Sequence, residues 1–200
     1  MKIRSAAFVT SSAKYTQCPP SSKPELALMG RSNVGKSSLI NMLLNNKQLA
    51  KISSKPGKTQ LINHFLVNDA WHLVDLPGYG WARVSQTQRQ QWEKMVKAYL
   101  LHRVQLSLVL VLVDSRHDPQ KSDIALINWL GEHQIPFVIL LTKADKGSKQ
   151  QVLQNKEALQ RVLRQDWEVL PEMLVTSSKD RTGRETLLRY IQQVLGPPSS

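Results

Sequence analysis

The chain has 200 residues, 41% hydrophobic and 21% charged, with 9 Gly and 10 Pro; this suits one globular domain of ordinary size and excludes a collagenous, low-complexity or wholly disordered chain. Its 27 Lys and Arg against 15 Asp and Glu leave a net charge of +12, so an acidic partner is expected, nucleic acid first. Cys18 is the single cysteine, which excludes an intrachain disulfide and a four-thiolate metal site and fits a reducing cytosol.

In chain order, Met1 to Tyr15 has no secretory apolar region, and Gln17 to Pro24 reads as a loop-like segment. Leu26 to Met29, Leu61 to Val67, Trp71 to Val74, Leu106 to Val113, Phe137 to Leu141 and Met173 to Val175 are short apolar runs that predict strands. Asn68-Asp69 between two of these predicts a hairpin turn, hence one antiparallel strand. Leu106 to Val113, the longest nearly apolar run, is under half of the roughly 20 residues a membrane helix needs. A soluble, unexported, cytoplasmic protein is expected.

Helical patterns fill the gaps. Trp92, Met95, Val96, Tyr99 and Leu100 follow i, i+3, i+4, i+7, i+8 spacing, and so do Leu187, Leu188, Ile191, Val194 and Leu195. Ser85 with Gln88, Ser148 with Gln151 and Thr182 with Glu185 resemble capping boxes at helix starts. Strands alternating with helices predict a three-layer α/β fold, a mostly parallel sheet covered on both faces. No internal repeat or domain boundary interrupts it, so 1–200 reads as a single domain with a short flexible tail over 196–200. Ligands in such sheets sit at the C-terminal strand edge.

At that edge Leu26 to Met29 runs into GRSNVGKS, which has phosphate-loop spacing. Glycines let the backbone N–H groups of Gly30, Arg31, Ser32, Asn33, Val34 and Gly35 curl around phosphate oxygens, and the helix opening at Lys36, Ser37 and Ser38 adds its positive end. Lys36 is placed to reach the β- and γ-phosphates, and Ser37 to offer a hydroxyl to Mg2+. Asp75 ends a strand in the sequence DLPG, where its carboxylate can hold a Mg2+-bound water and the Gly78 N–H can meet the γ-phosphate. Thr142-Lys143-Ala144-Asp145 follows a strand directly. A carboxylate there accepts from the N1–H and 2-amino group of guanine, donors that adenine lacks in that arrangement, and such sites discriminate by about 10⁴ or more. The Lys143 stem can cover the base. Thr176, Ser177, Ser178 and Lys179 follow the last strand, where a backbone N–H can bond guanine O6.

GRSNVGKS, KPGKTQ, DLPGYG, TKAD and SSK, in this order over Gly30 to Lys179, resemble the EngB (YihA/YsxC-like) family of bacterial GTPases, in the TrmE-Era-EngA-EngB-septin-like superfamily. The resemblance implies a Ras-like P-loop GTPase fold, Mg2+-dependent GTP hydrolysis, a role in assembling the large ribosomal subunit, and a requirement for normal cell division and septation. It also makes Gly57, Lys58 and Thr59 part of the first switch, with Thr59 a Mg2+ ligand only when GTP is bound. Without it, Ser53 and Ser54 compete for that role. Thr142 stands where many GTPases have Asn, which is expected to weaken slightly the tie between base loop and phosphate loop. Trp81 replaces a second tyrosine after DLPGYG. It sits beside Gly78 and Gly80, and a partner contact and an ordinary exposed position are both open readings.

Tyr79 fills the place of the water-orienting glutamine of Ras-type enzymes, so slow intrinsic turnover with partner stimulation is expected. Asn33 matches an asparagine of related K+-activated GTPases, which makes K+ an activator to test. GTP or GDP and the large ribosomal subunit or its precursor are the expected partners, with no membrane and a monomeric chain. The other readings are a P-loop nucleotide kinase, which would need an arginine-rich lid in place of TKAD, and an RNA-binding protein with a non-switching nucleotide site. His64, His72, His102, His117 and His133 are scattered without metal-ligand spacing and read as surface or packing residues. Trp92 and Trp129 read as core or half-buried. Arg161, Arg164, Arg181, Arg184 and Arg189 read as a solvated face or an RNA-facing patch.

Overall fold

A computed structural model describes residues 1–46, 49–50, 61–79 and 86–196, apart from the side chains at 88 and 89. The elements in order are β1 (Ala6–Ser12), β2 (Glu25–Gly30), α1 (Lys36–Leu43), β3 (Ile62–Val67), β4 (Trp71–Asp75), α2 (Gln86–His102), β5 (Leu106–Asp114), α3 (Lys121–Glu132), β6 (Phe137–Thr142), α4 (Lys149–Leu163), β7 (Met173–Val175) and α5 (Arg184–Leu195). The seven strands form one sheet in the order β1-β3-β4-β2-β5-β6-β7. Only β3 runs against the rest, antiparallel to both β1 and β4. Asn68 and Asp69, at φ 52° and 53°, make the tight left-handed turn between β3 and β4, with the Ala70 N–H donating to the Val67 carbonyl at 3.0 Å; two such residues match the twist of a hairpin.

Strand residues alternate between two cores, as a period of two requires. Ala27, Met29, Val109, Val111, Ile139 and Leu141 face α2, α3 and α4 through Val96, Tyr99, Leu130, Leu159 and Leu163. Leu26, Leu28, Leu110, Leu112, Val138 and Leu140 face α1 and α5 through Leu39, Ile40, Leu43, Leu187, Leu188 and Ile191. Both faces are apolar, hence the continuous runs in the sequence. The parallel strands β2, β5 and β6 end together, at Gly30, Asp114 and Thr142, so the loops beyond them converge on one edge.

Several local expectations need correction. β1 was not foreseen. It lies at the sheet edge, with Phe8 51% and Val9 43% exposed, so backbone pairing to β3 rather than a buried face defines it. The start of α5 is not a Thr182–Glu185 capping box: the N-cap is Gly183, at φ 75° with no side-chain cap. A Cβ at Gly183 would lie 2.1 Å from the Val175 carbonyl oxygen, so only glycine fits. By contrast Ser148 does cap α4, its side chain accepting from the Gln151 N–H. Ser85 and the Gln88 side chain lie outside the described residues, as do 197–200 of the tail. In the 17–24 segment, Arg103 donates to the Pro19 carbonyl at 2.7 Å and Gln105 to the Ser21 carbonyl at 2.8 Å, which ties the loop to the end of α2.

Candidate nucleotide site

The phosphate loop leaves β2 at Gly30 and enters α1 at Lys36. Gly35 is the N-cap of α1 at φ 108°, a conformation that favours glycine and leaves the first N–H groups of α1 available to an anion. Asn33 is also left-handed, at φ 63°. Lys36 Nζ stands 3.2 Å from Asp75 Oδ1, with side chains 12% and 7% exposed. The pair is at ion-pair distance but outside hydrogen-bond geometry, and Asp75 Oδ1 has no hydrogen-bond partner. Ser37 and Ser38 are half-buried in the first turn of α1. A buried, unsatisfied carboxylate oxygen near the helix that carries Ser37 is a hard-oxygen donor set that suits Mg2+. Gly57, Lys58 and Thr59 lie outside the described residues, as do Ser53, Ser54, Gly80 and Trp81.

The base side is tied to this loop by side chains. Thr142, 4% exposed, donates its hydroxyl to the Val34 carbonyl at 2.8 Å and also approaches the Val113 carbonyl at 3.2 Å. At this position a hydroxyl joins base loop and phosphate loop. Lys143, at φ 60°, donates to the Asn33 carbonyl at 2.6 Å and to Asp114 Oδ2 at 2.9 Å.

Asp114 was not singled out from sequence, although it ends a strand at the same edge, as Asp75 does. Arg116 grips it with two bonds, 2.9 Å from Nε to Oδ1 and 2.8 Å from one terminal nitrogen to Oδ2. Burial would raise its pKa, but Arg116 and Lys143 outweigh burial and hold the carboxyl well below the usual carboxylate range. The charge that orients Lys143 is thus permanent at physiological pH.

Asp145 Oδ1 accepts from the Ser177 hydroxyl at 2.8 Å. Asp145 Oδ2 is buried without a hydrogen-bond partner; Lys146 Nζ, at 3.8 Å, is too far to supply one. The Ser177 N–H bonds the Thr182 carbonyl and the Ala144 N–H bonds the Thr176 carbonyl, at 3.1 and 3.2 Å, which sets the SSK loop against the TKAD loop. Thr176 is buried, with its hydroxyl on the Leu141 carbonyl at 3.3 Å, so what it brings is the hold of this loop on β6. Ser178 is half-buried and Lys179 exposed.

Gly78 packs against the phosphate loop: the Tyr79 N–H donates to the Gly30 carbonyl at 3.1 Å, and the Ser32 N–H to the Tyr79 carbonyl at 2.9 Å. Tyr79 itself is 8% exposed and donates to Asp123 Oδ1 at 2.8 Å, a partner that no local motif signals.

Away from this edge, His64 and His72 are buried beside Glu25, their rings 5.9 Å apart. Glu25 accepts from Tyr99 at 2.7 Å and from Arg103 at 2.6 and 3.0 Å. Among the described residues no group of three His, Cys, Asp or Glu is placed to hold a metal ion. Trp92 and Trp129 are half-buried, as expected. Of the five arginines near the C-terminal helices, Arg184 is committed: it donates to the Met42 and Leu43 carbonyls at 3.0 and 2.9 Å, closing the end of α1. Arg161, Arg164, Arg181 and Arg189 are exposed.

Comparison with known proteins agrees with this geometry. Residues 25–143 match the family model of 50S ribosome-binding GTPases. The chain is 52% identical over 194 residues to the "Probable GTP-binding protein EngB" of Porphyromonas gingivalis, covering 97% of this chain and 96% of that one. It is 50% identical to the protein of the same name from Christiangramia forsetii, covering 97% and 98%. The fold is shared with the crystal structure of a probable GTP-binding protein engB, at TM-score 0.69 and 20% identity over 86% of this chain and 98% of that one. It is shared also with Aquifex aeolicus Era bound to GDP.AlF4-, at TM-score 0.69 and 23% identity over 88% and 57%. Five motifs in order along the sequence, a Ras-like sheet whose C-terminal edge carries those that lie among the described residues, and near full-length identity of about half place the chain in the EngB family of GTPases.

Proposed function

We propose that the chain is a Mg2+-dependent GTP switch acting in assembly of the large ribosomal subunit, on which normal cell division and septation depend. The observation that carries the nucleotide reading is Asp145 Oδ2, a buried acceptor without a partner, two residues from a lysine that already holds the phosphate loop. Guanine offers that carboxylate two donors; adenine would leave it unpaired, and an unpaired buried carboxylate is costly. The N–H groups of Gly30 to Gly35 with Lys36, Ser37 and Ser38 take the phosphates, Gly78 the γ-phosphate, and Ser177 to Lys179 the guanine edge. Ser37 and, through water, Asp75 would hold Mg2+, with Thr59 joining them for GTP; the ion neutralises the phosphate oxygens.

Turnover is slow without a partner, since the Tyr79 hydroxyl is spent on Asp123 and cannot orient a water. Asn33, exposed and left-handed in the loop, is the residue to hold an activating K+. The chain works as a cytoplasmic monomer and a single GTPase domain; among the described residues no helix is long and apolar enough to cross a membrane.

The ribosomal reading draws on the matched family's description and on the +12 charge, which attracts rRNA phosphates without specificity. Nucleotide state supplies the gate. Co-sedimentation with purified large subunits tests it, using GDP and a non-hydrolysable GTP analogue at several salt concentrations. Binding should weaken steeply with salt in both states, while the GTP form exceeds the GDP form by a coupling of roughly 1 to 3 kcal/mol. Equal pelleting in the two states refutes the switch, and no pelleting refutes the partner.

A further inference from the structure

Tyr79 joins two parts of the molecule that the nucleotide motifs do not connect. Its backbone forms a one-residue parallel bridge with Arg31, donating to Gly30 and accepting from Ser32. Gly78 is pressed so close that a Cβ there would come within 3.2 Å of both the Gly30 carbonyl oxygen and the Ser32 nitrogen. The side chain is buried and reaches Asp123, which is 1% exposed in the first turn of α3. The phenol and carboxylate meet at 2.8 Å, and breaking such a bond leaves a buried carboxylate without its hydroxyl donor.

In this arrangement protein groups satisfy partners that belong to a terminal phosphate. The Ser32 N–H is taken by the Tyr79 carbonyl, and Lys36 faces Asp75. For Gly78 to turn its N–H toward a γ-phosphate, the Gly78–Tyr79 backbone must shift relative to Ser32. The Tyr79 ring must then move with it or give up Asp123.

We propose that Asp123 is a positioning residue acting through Tyr79: their bond latches the DLPGY segment onto the phosphate loop in the arrangement favoured without a γ-phosphate, and so sets the preference between GDP and GTP. The latch is a property of side chains on α3 and after β4, apart from those assigned above to nucleotide and Mg2+. It rests on the reading of Lys36 and Gly78 as γ-phosphate groups.

The test measures Kd for GDP and for a non-hydrolysable GTP analogue, both with Mg2+, in wild type, Tyr79→Phe, Asp123→Leu and Asp123→Asn. Tyr79→Phe removes only the hydroxyl, and Asp123→Leu removes the acceptor together with its buried charge. Each should move the GDP-to-analogue preference toward the analogue by roughly tenfold. Asp123→Asn keeps an oxygen that accepts from the phenol and should stay near wild type. A packing role alone would change both affinities together. An unchanged ratio in whichever of Tyr79→Phe and Asp123→Leu folds overturns the latch, as does an Asp123→Asn ratio equal to that of Asp123→Leu. Wild type binding neither nucleotide would instead overturn the nucleotide reading itself.

Discussion

Thr142→Val isolates the tie between base loop and phosphate loop. Valine keeps the branched shape of threonine, so packing at a position only 4% exposed is preserved and only the hydroxyl is lost. That hydroxyl serves the Val34 carbonyl at 2.8 Å and lies 3.2 Å from the Val113 carbonyl; one proton shared between two acceptors counts as about one hydrogen bond. Leaving a buried acceptor without its donor costs about 1 to 2 kcal/mol, and at this chain length each kcal/mol lowers the melting temperature by about 2 to 4 °C. A drop of about 2 to 8 °C is expected. Val34 lies between Asn33, whose carbonyl Lys143 holds, and Gly35 in its left-handed conformation. A loosened Val34 should therefore weaken GDP by up to about tenfold. Thermal unfolding and fluorescent-GDP titration check both, with Thr142→Ser, which keeps the hydroxyl, as the control that retains affinity. If Thr142→Val melts and binds as wild type does, or if Thr142→Ser binds as poorly as Thr142→Val, the hydroxyl tie is refuted.

That tie shows where reading a sequence succeeds and where it stops. The central strands were legible because both faces of β2, β5 and β6 are buried, so their apolar runs are continuous. Asn68-Asp69 was legible because those side chains tolerate the left-handed conformation the hairpin needs. β1 was not, since it buries almost nothing and is defined by its pairing with a strand 50 or more residues away, from Ser12 opposite Ile62 outward. Thr182 and Glu185 misled for a related reason: the close approach of Gly183 to Val175 decides how α5 begins, and only folding brings those residues together. The phosphate loop is contiguous and so carries its own signature. Lys143 with Asp114, 29 residues apart, and Tyr79 with Asp123, 44 apart, are pairs that tertiary structure makes. For Thr142 the sequence shows only the residue type, whereas the structure shows the partner: its hydroxyl reaches the Val34 carbonyl 108 residues away.

Asn33→Ala tests the K+ reading: wild-type GTPase activity should be higher in KCl than in matched NaCl, and the difference should vanish in the variant. No K+ preference, or one that survives the substitution, removes Asn33 from the mechanism. At the far end of the sheet, acid should weaken the fold through Glu25. Burial works against its charge, but His64, Arg103 and Tyr99 outweigh burial and bring its pKa from the usual 4.5 to about 2; His64, at 3.5 Å, is the loosest of these partners. A depressed folded-state pKa means that the unfolded chain binds the proton first, so this contribution is complete above pH 4.5 and is lost as pH falls toward 2. The shift of roughly 2.5 units corresponds to ~3 kcal/mol. The drop in urea midpoint between pH 7 and pH 3 should be clearly smaller for Arg103→Met, which loses two bonds to Glu25, than for wild type. Equal pH dependence in the two proteins would show that the Glu25–Arg103 pair does not govern the acid limb.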